Sequence, residues 1–288
     1  MKLDLRDRTV VITGAGGGLG GALADALAAR GARLALLDLD EDLVAARAAA
    51  LGDAGRARGW SADVRDLDAL RRTTEEVADH FGGIDVVIAA AGVLGSLHTL
   101  TATDEDEWDR VVDINLSGVW RTFRAAAPHV ARRRGHLVAM SSLIAYVHPP
   151  LLGGYAASKA GVAALCDTTR LELRPAGVTV SSVHPAIFRT PMIGDALGSP
   201  AAVELVRDFT GVFKTVPIET VVADMVAGIE RRAKRIVSPA PHRVTAYVPG
   251  LAQAAIERLA FRPRTIRRAV ELGAIPAPAP RRTGTAVR

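Results

Sequence analysis

The sequence predicts a doubly wound α/β fold, in which helices cover both faces of a parallel sheet of about seven strands. Three observations carry this prediction. Short apolar runs rich in β-branched residues alternate with longer segments of helical periodicity. The short runs are continuously apolar, as expected for strands that are buried on both faces. Each intervening helical segment is long enough for a right-handed crossover between parallel strands.

Seven strands and six helices follow one another along the chain. The strands are predicted at Thr9–Thr13, Arg33–Leu37, Ala57–Ala62, Asp85–Ala89, His136–Met140, Val178–Val183 and Arg235–Val237, of which the third and the last have the weaker patterns. The helices are predicted at Gly20–Arg30, Glu41–Leu51, Leu67–Phe81, Glu105–Arg133, Tyr155–Arg174 and Glu219–Arg232. Glycine separates several helices from the next strand, where a left-handed cap or turn is expected.

The domain organisation is simple. No internal repeat or linker interrupts the chain before about residue 240, so residues 1–240 are predicted to form a single domain. Beyond that point prolines recur, and residues 250–273 set apolar side chains against arginines. We therefore assign residues 241–288 to a C-terminal extension, an amphipathic helical segment followed by a disordered basic tail.

Composition excludes several classes of function. The 288 residues carry a net charge of +5, but eight arginines and two glutamates lie between Leu251 and Arg288, so the main domain is close to neutral and nucleic acid is not an expected partner. The lone Cys166 rules out an internal disulfide, and no paired spacing suggests a metal site. Without a signal-peptide pattern or a spanning apolar run, the protein is expected to be cytoplasmic.

The segment between the first strand and the first helix is rich in glycine. Glycine allows a pyrophosphate to approach the backbone, and the helix N-terminus offers N–H donors and the positive end of its dipole. This context predicts a dinucleotide site and a Rossmann-type fold, while a purely structural turn is the alternative. The candidate cofactor contacts are Gly14, Gly16, Gly17, Gly18, Leu19 and Gly20.

Asp38 ends the second strand, eighteen residues after Gly20. A carboxylate at this place accepts hydrogen bonds from the adenosine ribose hydroxyls and repels a 2′-phosphate. Since no lysine or arginine adjoins Asp38, the sequence favours NAD over NADP. A role as helix N-cap for the following segment is compatible with this interpretation.

The segment from residue 135 to residue 165 carries the strongest chemical pattern. Ser141 and Ser142 follow the fifth strand, at the sheet edge where open α/β folds bind ligands. Tyr155 comes thirteen residues after Ser142, and Lys159 lies one helical turn further along the same helix face. A Tyr-x-x-x-Lys pattern is weak alone but becomes specific together with the serines and the glycine loop.

With these motifs, TGAGGGLG and YAASK, the chain resembles the short-chain dehydrogenase/reductase family over residues 5–240. The resemblance implies an NAD-dependent oxidoreductase acting on an alcohol or ketone, with four catalytic residues: Asn115, Ser142, Tyr155 and Lys159. It also implies cofactor contacts from Asp38, Asp63, Val64, Ala91, Gly92, Tyr155, Lys159, Pro185, Ile187 and Thr190. A homodimer or homotetramer is the assembly that the family suggests.

The chemistry explains the residue types. Tyr155 would act as general acid/base, although a tyrosine has an ordinary pKa near 10. The Lys159 ammonium and an oxidised nicotinamide are both expected to lower that pKa. Ser142 would polarise the substrate oxygen, and Asn115 would hold a water that links Lys159 to solvent.

Two positions depart from the family pattern. Ala89-Ala90-Ala91-Gly92 stands where Asn-Asn-Ala-Gly is usual, so side-chain contacts that brace the central strands are expected to be lost. Ala186 replaces the glycine that usually follows the proline of the sixth strand. Neither change touches the acid/base residues, so activity is still expected.

Substrate contacts are expected from Ser142, Leu143, Tyr155 and Phe188, within loops that are mostly apolar. An apolar pocket suits a hydrophobic secondary alcohol or ketone, for example a steroid-like, terpenoid or acyl compound. The basic segment 250–273 is expected either to cover the protein's own core or a partner subunit, or to make peripheral membrane contact. Alternative functions are a non-catalytic, cofactor-binding regulatory protein and an epimerase or dehydratase on the same scaffold.

Overall fold

The computed structural model describes residues 2–188, 200–207, 215–248 and 263–274. Within them, seven parallel strands form one sheet in the order β3-β2-β1-β4-β5-β6-β7. The strands are β1 Thr9–Thr13, β2 Arg33–Asp38, β3 Ala57–Ser61, β4 Val86–Ala89, β5 His136–Met140, β6 Thr179–Pro185 and β7 Arg235–Ser238. The predicted doubly wound Rossmann-type sheet is therefore confirmed.

Helices pack on both faces of the sheet. In the described ranges they are α1 Gly18–Ala28, α2 Glu41–Leu51, α3 Leu67–Phe81, α4 Glu105–Val112, α5 Gly118–Arg132, α6 Gly153–Leu173, α7 Pro200–Arg207, α8 Ile218–Glu230, α9 Arg243–Tyr247 and α10 Pro263–Gly273. The predicted helix Glu105–Arg133 consists of α4 and α5, joined without a break by a π-helical turn at Asp113–Ser117.

Two apolar cores result from the alternation of side chains along each strand. On one face, Ile12 and neighbouring strand residues pack against Leu23 of α1 and Met225 of α8. On the other face, Val11 and its neighbours pack against Val77 of α3, together with apolar residues of α5 and α6. Helices cover both faces of the sheet, so the strands are buried on both sides. This explains why their sequences are continuously apolar.

The strand order reverses between β1 and β4, since β2 and β3 lie on one side of β1 and all later strands lie on its other side. Strand β1 pairs with β2 on one side, where Thr13 aligns with Leu37, and with β4 on the other, where Thr13 aligns with Ala89. In open parallel sheets the crevice at such a switch point, at the carboxyl ends of the strands, is the ligand site. The glycine-rich segment, Asp38 and the residues after β4 meet at this edge.

The helix starts differ in one respect that concerns ligands. Helices α2, α3 and α4 begin at aspartates whose carboxylates accept N–H groups of the first turn: Asp40, Asp66 and Asp104. Helix α1 begins after Gly17, has no side-chain cap and has no acidic residue in its first turn. Its N-terminal N–H groups are thus available to an anion.

The extension after residue 240 contains α9 and α10 in its described parts. Of the predicted amphipathic segment 250–273, residues 250–262 lie outside the described ranges, as does the basic tail from 275. Helix α10 packs on the protein's own apolar residues rather than standing free, since Ala269 is fully buried against Leu151 and Ala201. Among the described helices, none combines the length and the apolar character that crossing a membrane requires.

Candidate active site

The glycine loop after β1 is shaped by close backbone contacts. Gly14 has φ +72°, and a Cβ there would lie 2.7 Å from the Cα of Ala91. A Cβ on Gly20 would collide with the carbonyl oxygen of Gly14. These two glycines therefore allow the loop, the start of α1 and the segment after β4 to touch. The exposed Gly17 and Gly18 follow at the helix start, while Leu19 packs against the core.

Asp38 faces the glycine loop from the end of β2. Its Oδ2 accepts the Gly16 N–H at 2.9 Å, and its Oδ1 accepts the Leu39 N–H at 2.8 Å. A Cβ on Gly16 would lie 3.0 Å from Oδ2 of Asp38 and 2.7 Å from Cδ2 of Leu43. The carboxylate is only partly buried, so it remains accessible at the rim of the loop.

The segment after β4 is braced by a hydroxyl of β1. The Oγ1 atom of Thr13 accepts the N–H of Ala90 at 3.2 Å and the N–H of Ala91 at 3.3 Å. The sequence predicts that Ala89 and Ala90, in place of the usual asparagines, remove side-chain contacts that brace the central strands. In the structure the Thr13 hydroxyl braces the backbone of the segment after β4 through its N–H groups.

Asn115 lies in the π-helical turn and is fully buried. Its Oδ1 accepts the Val93 N–H at 2.8 Å, and its Nδ2 donates to the Val93 carbonyl at 2.8 Å. Nδ2 also lies 3.3 Å from Oγ of Ser158 on α6. The side chain thus joins the segment after β4 to the helix that carries Tyr155, and its predicted role in holding a water stays a prediction.

Lys159 is buried where β4, β5 and α6 meet. Its Nζ donates to the carbonyl oxygen of Met140 at 2.9 Å, and only 4% of the residue is exposed. Nζ lies 5.5 Å from the centre of the Tyr155 ring, as expected for residues one helical turn apart. A Cβ on Gly92 would lie 3.0 Å from Oδ1 of Asn115 and 3.5 Å from Nζ, so glycine lets the segment after β4 pack closely against these two side chains.

The two serines after β5 have separate tasks. The Ser141 hydroxyl donates to the carbonyl of Lys159 at 2.8 Å, which ties the strand to α6. Oγ of Ser142 accepts the Ile144 N–H at 3.2 Å and caps a short 3₁₀ turn at Leu143–Ala145. The Ser142 hydroxyl also lies close enough to the Tyr155 side chain to lower the pKa of its phenol, so Ser142, Tyr155 and Lys159 lie together at this edge of the sheet.

Burial shifts the pKa values of both Tyr155 and Lys159. It raises the pKa of Tyr155 to about 12, and the hydrogen bond with Ser142 opposes this only in part. It lowers the pKa of Lys159 to about 8, because a buried ammonium loses hydration. The pKa of Tyr155 is raised, whereas the sequence predicted that it would be lowered. The reason is that desolvation of the phenol outweighs its polar contacts.

The described members of the remaining predicted cofactor residues lie at the carboxyl ends of β3 and β6. Asp63 pairs with Arg65 at 2.7 Å, an interaction that lowers the pKa of its carboxyl, and Val64 is buried beside Gly118. Pro185 ends β6, and the Ile187 carbonyl accepts the Val216 N–H at 2.8 Å. Phe188 forms a β-bridge with Val216, whereas Thr190 lies outside the described residues.

His184, which sequence reasoning did not single out, supports Ser142 from β6. Its Nδ1 lies 3.2 Å from the Ser142 carbonyl, and its Nε2 lies 2.8 Å from Oγ of Ser182. Burial lowers the pKa of His184 to about 4, so the ring is neutral near pH 7. Since a carbonyl only accepts, Nδ1 carries the proton and donates to Ser142, while Nε2 accepts from Ser182.

A narrow cleft opens beside Tyr155. It is lined by Leu94, Gly95, Ser96, Thr103, Glu107, Trp108, Val111, Leu151, Leu152, Gly153, Gly154 and Tyr155. The predicted apolar loops supply part of this set. Trp108 and Val111 come from α4 and carry no motif that would have marked them. Leu143 instead packs in a separate cluster with Tyr146 and Val237, so its substrate contact stays a prediction.

These features agree with the comparisons. The short chain dehydrogenase family pattern matches residues 8–198, and the chain belongs to this family. An uncharacterized NAD-dependent oxidoreductase of Mycobacterium tuberculosis is 36% identical over 205 residues, covering 66% of this chain and 74% of that protein. A (3R)-3-hydroxyacyl-CoA dehydrogenase of Canis lupus familiaris is 34% identical over 200 residues, covering 66% and 77%. The crystal structure of a short chain dehydrogenase/reductase from Burkholderia phymatum in complex with NAD has a TM-score of 0.75 at 27% identity, covering 89% of this chain and 96% of that one.

The bracing by Thr13 can be tested directly. Thr13→Val keeps the shape of the side chain but leaves the Ala90 and Ala91 N–H groups without their acceptor. We expect the free energy of unfolding to fall by about 1–3 kcal/mol, as for other unsatisfied buried groups. Thr13→Ser retains the hydroxyl and serves as the matched control in denaturant titrations. Equal stability of the two variants would show that the hydroxyl does not brace the segment.

Proposed function

We propose that this protein transfers hydride between NAD and the carbinol carbon of a hydrophobic secondary alcohol, or the corresponding ketone. The observation that carries the proposal is the meeting of Ser142, Tyr155 and Lys159 beside a cleft at the switch-point edge of the sheet. The same edge holds the glycine loop and Asp38. Acid/base groups next to a dinucleotide cradle are what an alcohol dehydrogenase or ketone reductase requires.

The residues fit a dinucleotide. Gly14 and Gly20 allow a close-packed loop that a Cβ would fill, and the uncapped start of α1 suits a pyrophosphate. The Asp38 carboxylate would accept hydrogen bonds from the adenosine ribose hydroxyls, and its negative charge favours NAD over NADP. Bound there, the nicotinamide would supply or accept the hydride. Asp63, Val64, Ala91, Gly92, Pro185, Ile187 and Thr190 remain the further proposed contacts.

Within this proposal each catalytic residue has a stated task. Tyr155 gives its proton to the ketone oxygen, for which a protonated phenol at neutral pH is suited. The Lys159 ammonium stabilises the phenolate that this step leaves. Ser142 donates a hydrogen bond to the substrate oxygen, and His184 holds the backbone of Ser142 in place. Asn115 fixes the segment after β4 relative to α6.

The apolar lining of the cleft supports a hydrophobic substrate. Leu94, Val111 and Leu152 supply aliphatic walls, and Trp108 lies over Gly154 just before Tyr155. The name of the canine relative indicates a hydroxyacyl substrate for that protein, which is also a secondary alcohol. This supports a secondary alcohol or ketone here, with the oxygen directed at Tyr155.

A homodimer or homotetramer is the assembly we infer, through the helices around Asn115 and Tyr155. Trp120 on α5 is 43% exposed, and Leu171 on α6 is 66% exposed. These exposed apolar side chains support the inference that α5 and α6 face another subunit. The substrate remains a small molecule in this proposal.

Replacing Tyr155 tests the catalytic claim. Tyr155→Phe removes only the phenolic oxygen, so turnover of secondary alcohols with NAD⁺ should fall at least about 10²- to 10⁴-fold. The dissociation constant for NADH, followed by fluorescence, should change little. Tyr247→Phe, at an exposed site, is the matched control. Unchanged turnover in Tyr155→Phe would refute the proposed chemistry and favour a role without acid/base catalysis.

Replacing Asp38 tests the cofactor preference. Asp38→Ala removes the carboxylate at the loop, so kcat/KM with NAD⁺ should fall about 10- to 100-fold, the worth of a hydrogen bond to a charged group. The ratio of kcat/KM values for NAD⁺ and NADP⁺ should fall with it. Asp42→Ala, an exposed acid of α2, should leave the ratio unchanged. Wild-type protein that prefers NADP⁺ would contradict the assignment.

The pH profile tests Lys159. With a pKa of about 8, its ammonium is present below that pH and is lost as the pH rises through it. We therefore expect kcat/KM for ketone reduction to be level between pH 6 and 7 and to decline above about pH 8. Lys159→Arg keeps its charge throughout this range. If the variant showed the same decline, the group that titrates would not be Lys159.

A further inference from the structure

We propose that helix α10 supports the wall of the substrate cleft at Leu151 and, by clamping this residue, limits the size of the alcohol that the enzyme accepts. The inference rests on the proposed function, and it concerns a helix that lies beyond residues 8–198, the part of the chain that matches the family. It would make Leu151, Leu97 and Gly273 determinants of specificity.

Helix α10 is docked by apolar contacts and by one backbone hydrogen bond. Ala269 is fully buried, and Leu272 packs in the same cluster, which contains Leu97, Leu151 and Ala201. The Thr99 N–H donates to the Gly273 carbonyl at 3.0 Å. The end of α10 is therefore joined to the segment after β4, the same segment that lines the cleft at Leu94, Gly95 and Ser96.

The contact at Gly273 is tight. A Cβ at this position would lie 2.6 Å from Cδ2 of Leu151 and 3.2 Å from the carbonyl oxygen of Leu97. Glycine is thus needed for α10 to approach both cleft segments at once. A side chain here would have to displace Leu151, which also lines the cleft.

Leu151 itself has an unusual backbone. Its φ is +69°, in the left-handed region that residues other than glycine rarely adopt. It is only 6% exposed, held between α10 and the start of α6. A strained residue persists where its surroundings determine it, and such residues concentrate at functional sites. The packing of α10 is one of the contacts that hold Leu151 in this conformation.

The position of Leu151 links the clamp to the chemistry. Leu151 and Leu152 line the cleft together with Tyr155, which lies one helical turn further along. Moving the Leu151 side chain toward α10 would deepen the cleft, whereas moving it away from α10 would fill the cleft. A substitution that removes the Leu151 side chain and one that pushes it toward the cleft should therefore shift the preferred substrate size in opposite directions.

Two substitutions produce these opposite changes. Leu151→Gly removes the wall and suits the positive φ, so the preference should move to longer alcohols. Gly273→Ala pushes Leu151 into the cleft, so the preference should move to shorter ones. Each methylene gained or lost should change relative kcat/KM about fourfold, since burying one is worth about 0.8 kcal/mol. Val270→Ala, on the exposed side of α10, is the control.

The experiment measures the kcat/KM values for 2-alkanols from 2-butanol to 2-decanol with NAD⁺, for the full-length wild type and the three variants. In parallel, calorimetry measures the binding of the matching 2-alkanones to the protein saturated with NAD⁺, a pair that cannot react. Opposite shifts in optimal chain length for Leu151→Gly and Gly273→Ala, with no shift for Val270→Ala, would support the proposal.

The kcat/KM values and the calorimetric affinities together distinguish an incorrect role of α10 from an incorrect proposed reaction. If alkanols turn over but all variants keep the wild-type chain-length profile, α10 does not set specificity. If no alkanol turns over yet alkanone affinity shifts in the expected directions, the wall stands and the proposed reaction fails. If the alkanones bind to none of the proteins, the cleft does not accept such ligands and the inference is overturned.

Discussion

The candidate active site depends on one buried hydrogen bond, from Nζ of Lys159 to the carbonyl oxygen of Met140. A buried ammonium is costly unless it is well bonded, so its position is fixed wherever an acceptor satisfies it. Here the acceptor is the last residue of β5, and the Ser141 hydroxyl bonds back to the Lys159 carbonyl. These reciprocal contacts fasten α6 to β5. They set the distance between Tyr155 on the helix and Ser142 after the strand.

The sheet could be predicted from the sequence because its signals are local. Continuous apolar runs such as Val10–Ile12 identify strands buried on both faces, and the intervening helices require parallel pairing. Tyr155 and Lys159 could be paired for the same reason, since a helix places residues four apart on one face. The π-helical turn at Asn115 left no comparable mark. It lies within a periodic segment that predicts one continuous helix.

The parts that could not be predicted depend on contacts between distant segments. Trp108 lines the cleft because α4 lies against the start of α6, and nothing near Trp108 in the sequence indicates this. His184 precedes a family-like proline, but its support of Ser142 depends on the pairing of β5 with β6. The pKa of Tyr155 is likewise set by burial, which a motif does not contain. Sequence patterns located the chemical groups, and tertiary packing set their environment.

The two halves of the site are built on different principles, and this bears on how they tolerate change. In the half that suits the cofactor, segments of backbone pack closely on one another, as Gly14 does against Ala91. The Thr13 hydroxyl braces these segments. The alanines at positions 90 and 91 are held there through their backbone N–H groups. The half that we propose to bind the substrate is lined by side chains from separate segments, including Leu151, against which α10 packs. Because such a wall depends on packing volume, single substitutions there alter the shape of the cleft. Differences in substrate between relatives are therefore expected to arise in this half, while Tyr155 and the cradle stay as they are.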